Sequence, residues 1–355
     1  MYQYYKALLS VTKNMGGSEH LSLLSKTEQV ALRLIQSDLQ FLYTVYQNKS
    51  VSGSSYFIAL LPYIGMVIDG CETWSNKVGK LKPHSLKFSE EEQFYYSQLR
   101  NSIKLWDTPF EDLYILLKQK YNESDIYFSN CCKPIAKVLK LYDIFGGYLI
   151  DGKFCDNTIL DMLFVPNFYY NGIDREYIKR MFVFSGKVIA SFRIKKELTL
   201  KIDNSIVFDN EDYGGFVKSP VGNRFSEKFV LFSILCSVNF IIYGIDRYIV
   251  PDTTTKLRLA YIQYYYLLEQ IPQINRHLNT QFYMNSQWVD SQSIFRNCMA
   301  HYGIGVVLSQ QEVIETDLFG GLTQKIFGEE WVSIKNSIIN ELRKFSEQIS
   351  NYLKI

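Results

Sequence analysis

Phe295-Arg296-Asn297-Cys298-Met299-Ala300-His301-Tyr302-Gly303 concentrates the side chains of acid–base and phosphate chemistry. The chain has only four histidines, His20, His84, His277 and His301, so a mechanism that needs a group titrating near neutrality has few places to sit. His301 stands out because a permanently charged guanidinium, Arg296, precedes it by five residues in an otherwise apolar helical stretch. An Arg, an amide and a His in one cleft are the parts needed to cleave RNA without a metal. The Arg clamps the scissile phosphate, the His moves a proton to or from the 2′-hydroxyl or the leaving oxygen, and Asn297 orients either. The attacking 2′-hydroxyl already lies beside its phosphate, so the protein mainly positions and neutralises.

Helix geometry places Asn297 and His301 on one face, with Arg296 about 140° away from His301. A bent Arg stem, or a second copy of the helix across a two-fold axis, can bring the two groups into one cleft. Homodimerisation is therefore expected. Arg100-Asn101-Ser102-Ile103-Lys104-Leu105 repeats the Arg-Asn opening on an expected helix but has Leu105 where the imidazole would be. Arg-Asn alone therefore carries little information.

Arg296-Asn297-Cys298-Met299-Ala300-His301 resembles the Arg-x4-6-His motif of HEPN-domain proteins, in its Arg-Asn-x-x-Ala-His form. The resemblance is confined to the C-terminal third. It implies an α-helical bundle that dimerises with the motifs facing each other, and metal-independent endoribonuclease activity of the kind found in toxin–antitoxin and antiviral defence systems. It also implies that Arg296 and His301 are catalytic and Asn297 supporting, with no cofactor and no metal, RNA as substrate, and an antitoxin or regulatory protein as a further partner. HEPN toxins partnered with nucleotidyltransferases resemble one another in a Tyr two residues after the His. This chain has Gly303 there and Tyr302 adjacent to the His, so tyrosine modification is not expected. Two readings compete with catalysis: a non-catalytic HEPN-like dimeric module binding RNA, a nucleotide or a protein, and a plain surface Arg with a His capping the helix C-terminus.

Other candidates are weaker. His277 ends a helix carrying Tyr261, Tyr264, Tyr265 and Tyr266; such a stripe can stack on bases but is more often core or interface. Glu269 either orients a cleft Arg or is solvated. His20 and His84 fall in loops with no partner cluster. Lys179, Arg180, Lys187, Arg193, Lys195, Lys196 and Lys201 either track an RNA backbone or guard a sheet against aggregation, and the second reading is favoured. Gly214-Gly215 lacks the Lys-Ser/Thr of a phosphate loop.

The elements that must carry these residues read as mainly α. The 355 residues are 47% hydrophobic and 21% charged, ample for a packed core, and a net charge of +2 gives no global basic field. With 27 Tyr, 24 Phe and only 8 Pro, long helices are permitted. The six cysteines, with no CxxC pair, read as reduced thiols of a cytoplasmic protein, not a zinc site or disulfide framework. No signal peptide or lipidation motif is read at either end. Phe229–Ile245, the longest apolar run, is expected to be a buried helix, with no membrane partner.

Three regions are expected. Residues 1–180 form an N-terminal mainly helical domain, with helices at Thr27–Gln47, Ser89–Trp106, Thr108–Lys120 and Lys133–Ile144, and with Gly53, Pro62 and Gly65 interrupting the apolar run after the first. Residues 181–222 form a small β-meander, by period-2 alternation between Met181 and Phe208, followed by a linker at Asp209–Asn223. Residues 223–355 form a HEPN-like four-helix bundle from Ser226–Tyr248, Thr253–Asn279, Asp290–Tyr302 and Glu329–Leu353.

Overall fold

The computed structural model describes residues 24–78, 89–165, 183, 185–186, 200–214, 219–222 and 224–355. The chain is mainly helical there. The first helix among the described residues, α1 (Lys26–Gln47), starts at a capping box: Ser25 Oγ accepts from the Glu28 N–H at 3.3 Å and Glu28 Oε2 accepts from the Ser25 N–H at 2.8 Å. The same device, Ser89 with Glu92, starts α3 (Glu90–Ser102). Between them, α2 (Lys49–Val78) runs straight through Pro62 and Gly65, where an interruption is expected from sequence. Packing explains the correction. A Cβ on Gly65 would lie 2.3 Å from the Leu99 backbone, so the glycine lets α2 and α3 touch, and residues 56–68 are almost wholly buried.

A 3-10 turn at Leu105–Asp107 leads to α4 (Phe110–Cys131) and the one-turn helix α5 (Pro134–Val138). The helix expected over Lys133–Ile144 stops at that turn, because Asp143–Ile150 is a strand, β1, paired antiparallel with β2 (Lys153–Asn157). Asp151 and Gly152, at φ 50° and 70°, make the two-residue hairpin that Asp-Gly favours. A short helix, α6 (Thr158–Phe164), comes next, capped by Asn157.

The alternation read at Val188–Leu198 lies outside the described residues. Beyond it, the two-residue strand β3 (Lys201–Ile202) pairs with β5 (Ile249–Val250). Strand β4 (Phe208–Gly214) pairs with the other edge of β1, giving the order β2-β1-β4. The first half of the expected linker at Asp209–Asn223 is therefore ordered sheet.

The C-terminal helices fall where the periodicity places them. They are α7 (Glu227–Asn239), continued by a π-helical segment Phe240–Arg247, then α8 (Thr254–Leu278), α9 (Ile294–His301) and α11 (Trp331–Leu353); an unforeseen α10 (Gly320–Phe327) precedes the last. The stripe Ile334, Ile338, Leu342, Phe345 and Ile349 is fully buried. Among the described residues one segment, Glu227–Arg247, is long and apolar enough to cross a membrane, and 83% of its apolar window is buried inside the protein.

α11 packs on α7 and α8, whereas α9 packs on α8 and on α2. One apolar core runs from α1 through the sheet to α11, without a gap at residue 222. Polar pins cross it: Asn239 donates to the Phe154 carbonyl at 2.9 Å and accepts from Ser346 at 2.6 Å. The buried Lys335 amine lies 2.9 Å from Asp246 and 2.8 Å from Asp252.

Candidate active site

The helix that carries Arg296, Asn297 and His301 is only eight residues long, so its stability comes from its ends and its buried face. At the start, Asp290 accepts from the N–H groups of Ile294 at 2.7 Å and Phe295 at 3.1 Å, a capping role close to the negative charge a helix N-terminus favours. Phe295, Cys298, Met299 and Ala300 are buried; the Phe295 ring meets Tyr261 edge-on at 4.7 Å and Phe327 at 4.9 Å.

The end of the helix is bolted more firmly. Tyr302, at φ 55°, is fully buried. The Arg258 guanidinium lies over its ring at 3.8 Å, and Arg258 Nε donates to the Met299 carbonyl at 2.7 Å. Arg258 also pairs with Asp38 of α1, to which the Tyr302 hydroxyl donates; both charged groups are buried. Against the other side of the tyrosine lies Gly70 of α2, where a Cβ would sit 2.0 Å from the ring. Since Tyr302 succeeds His301 and Gly70 succeeds Asp69 in the chain, this close approach brings the imidazole and the carboxylate together.

His301 Nδ1 lies 3.4 Å from Asp69 Oδ2, and the imidazole is 52% exposed. The second Asp69 oxygen accepts from the Tyr96 hydroxyl at 3.3 Å and lies 3.6 Å from Arg100 Nη1. The hydrogen bond from His301, with the charges of His301 and Arg100 and the Tyr96 hydroxyl behind it, holds the Asp69 carboxyl below the usual carboxylate range despite partial burial. A carboxylate on Nδ1 sets the ring's tautomer and orientation and leaves Nε2 for proton transfer.

Arg296 belongs to a different set of contacts. Its guanidinium lies 5.4 Å from the Tyr265 ring centre, its Nε is buried without a hydrogen-bond partner, and Glu269 is among its electrostatic neighbours. Burial, chiefly, and the facing Asp107 raise the Glu269 carboxyl above its usual range, with the Tyr265 hydroxyl and Arg296 opposing. Asn297 is exposed. Within one chain, then, Arg296 and His301 share a helix but face different neighbours, whereas Arg100 and His301 share Asp69.

Asp69, Tyr96 and Arg100 are invisible to sequence reasoning as site residues. Arg100-Asn101 reads there only as a motif lacking its histidine; the histidine comes from a helix some 200 residues later. The other candidates resolve simply. Tyr261, Tyr264, Tyr265 and Tyr266 are buried. His277 stacks on Phe110 at 4.8 Å. His20, His84 and the basic residues from Lys179 to Lys196 lie outside the described residues. Among the described residues no three His, Cys, Asp or Glu side chains gather where they could hold a metal ion.

The chain matches no protein-family model, no curated protein and no solved structure.

Proposed function

We propose that the protein is a metal-independent endoribonuclease of the HEPN type, a cytoplasmic toxin or antiviral defence effector, with His301 at its catalytic centre. The observation that carries the reading is the half-exposed imidazole held on Asp69 beside Arg100. His301 Nε2 takes the proton of the RNA 2′-hydroxyl or returns one to the departing 5′-oxygen. As the 2′-oxygen attacks, the P–O5′ bond breaks, leaving a 2′,3′-cyclic phosphate and a 5′-hydroxyl. Asp69 orients the ring and stabilises the imidazolium. A guanidinium offsets the charge growing on the phosphate oxygens.

Which guanidinium does this divides the reading in two. In a homodimer through the C-terminal helices, Arg296 of one chain meets His301 of the other, and its guanidinium clamps the phosphate. In a single chain Arg100 is already in place. An antitoxin or regulatory protein would act by covering this face. The second reading, a HEPN-like dimer that binds RNA, a nucleotide or a protein without cutting, draws on the same Arg296.

The discriminating experiment is product-end analysis of RNA cleaved in excess chelator, with Arg296→Ala, Arg100→Ala and Asn297→Ala beside the wild type. The expected products end in 2′,3′-cyclic phosphate. Loss with Arg296→Ala, restored by mixing it with His301→Ala protein, indicates a site shared between chains; loss only with Arg100→Ala indicates a site within one. RNA that is bound but never cut favours the binding module.

A further inference from the structure

Residues 131–141, Cys-Cys-Lys-Pro-Ile-Ala-Lys-Val-Leu-Lys-Leu, form a tip at which no residue is buried. Four aliphatic side chains stand in water there: Ile135 at 71% exposure, Val138 at 82%, Leu139 at 58% and Leu141 at 37%. Ile126, on the last turns of α4, is also 60% exposed, and Tyr127 and Phe128 beside it are half-buried. Single exposed aliphatics are ordinary, but a contiguous cluster marks a surface meant to be covered.

The charges on the tip have one sign. Residues 126–142 contain no Asp or Glu and three lysines, Lys133, Lys137 and Lys140, all exposed. On the turn of α5, Ile135, Val138 and Leu139 lie three and four residues apart and share a face, while Lys137 falls on the opposite face. Lys133 and Lys140 bracket the helix, the latter at φ 52° where the chain turns back. The flanking acids, Asp125 and Asp143, lie at the base, and Asp125 is held by the Tyr142 hydroxyl at 2.8 Å.

This arrangement selects among occupants. A second copy placed by a two-fold axis would set lysines against lysines. A folded protein partner is met by interface cores rich in Tyr, Trp, Arg and Met, and none of these lies between residues 131 and 141. A projecting knob of aliphatics with lysines around it matches the boundary of an anionic bilayer. There the aliphatics reach the acyl region and the amines snorkel to lipid phosphates.

We propose that the Lys133–Leu141 tip docks the protein on anionic membrane surfaces. The docking is peripheral, since Glu227–Arg247 is consumed by the core, and it replaces the sequence-based expectation of no membrane partner. It stands independently of the nuclease reading.

The test is flotation of the full chain with phosphatidylcholine vesicles, with and without phosphatidylglycerol. The expected result is co-flotation with the anionic vesicles only, weakened by salt. Val138→Asp with Leu139→Asp should abolish it, and Lys133→Gln, Lys137→Gln and Lys140→Gln together should lower partitioning by about 100-fold, from roughly a factor of five per lysine. All these side chains are exposed, so melting curves of the variants should match the wild type; the lipid and salt dependence of the wild type needs no variant at all. Wild type that stays at the bottom with both vesicle types overturns the proposal. So does flotation that both variants retain, and so does capture by an acidic polypeptide but not by vesicles, which assigns the tip to an acidic protein.

Discussion

At the scale of single residues, the decisive feature is a carboxylate seen only in three dimensions. Asp69 lies in an apolar stretch of α2 and has no motif around it; it becomes informative because Gly70 and Tyr302 interlock and place it 3.4 Å from His301. Asp69→Asn should lower kcat for RNA cleavage by roughly 10- to 100-fold with little change in KM, since it disturbs the ring's orientation and charge balance, not RNA binding. The same carboxylate makes a pH-dependent contribution to stability. Its folded pKa is depressed, so the contribution is present above the unfolded carboxylate range and lost as pH falls through the folded value. The stability advantage of wild type over Asp69→Asn at neutral pH should therefore vanish under acid, as measured by denaturant unfolding at each pH. The motif residues Arg296, Asn297 and His301 are legible in the sequence because their types and spacing are local; Asp69 and Arg100 are not, because contact across α2, α3 and α9 leaves no local pattern.

At the scale of elements, the β2–α6 junction holds an uncommon device. Asp156 and Asp161 are both buried and hydrogen-bonded to each other. Burial, then the neighbouring Asp161, pushes Asp156 well above the carboxylate range, so it stays protonated and donates. Burial pushes Asp161 up to about 7, with the Asp156 bond opposing. Each acid holds its proton more tightly when folded, so stability should fall as pH rises out of the carboxylate range, and past about 7 it should fall less steeply, with Asp156 alone still holding its proton. Asp161→Asn, which still accepts from Asp156, should make the fall below pH 7 shallower and raise neutral-pH stability by about 2–4 kcal/mol, read from melts across pH. Helices with strong stripes, such as α1, α8 and α11, are legible because burying one face demands the 3.6-residue period. The β1–β2 hairpin is not. Its strand Asp-Ile-Phe-Gly-Gly-Tyr-Leu-Ile is buried throughout its second half and lacks alternation there, although Asp151-Gly152 is the turn signal that could reveal it.

At the scale of the whole molecule, the candidate site is held by a contact between helices far apart in the chain, at residues 38 and 258. The Asp38–Arg258 pair joins α1 to α8 and supports Tyr302 beneath the site. Removing one partner strands the other charge in the core. Arg258→Met should accordingly cost about 3–5 kcal/mol, and adding Asp38→Asn should restore part of it, measured as a double-mutant cycle in denaturant. The mainly α character is legible from the sequence, whereas the continuity of the core past residue 222 is not, because side chains that pair across 200 residues carry no periodic signature. The proposed function stands or falls with metal-free RNA cleavage by His301. Its most direct test is the single-turnover rate on a mixed RNA pool in excess chelator, wild type against His301→Ala. Wild type should cleave and the variant should be slower by at least about 100-fold; equal rates for the two proteins would contradict the proposal.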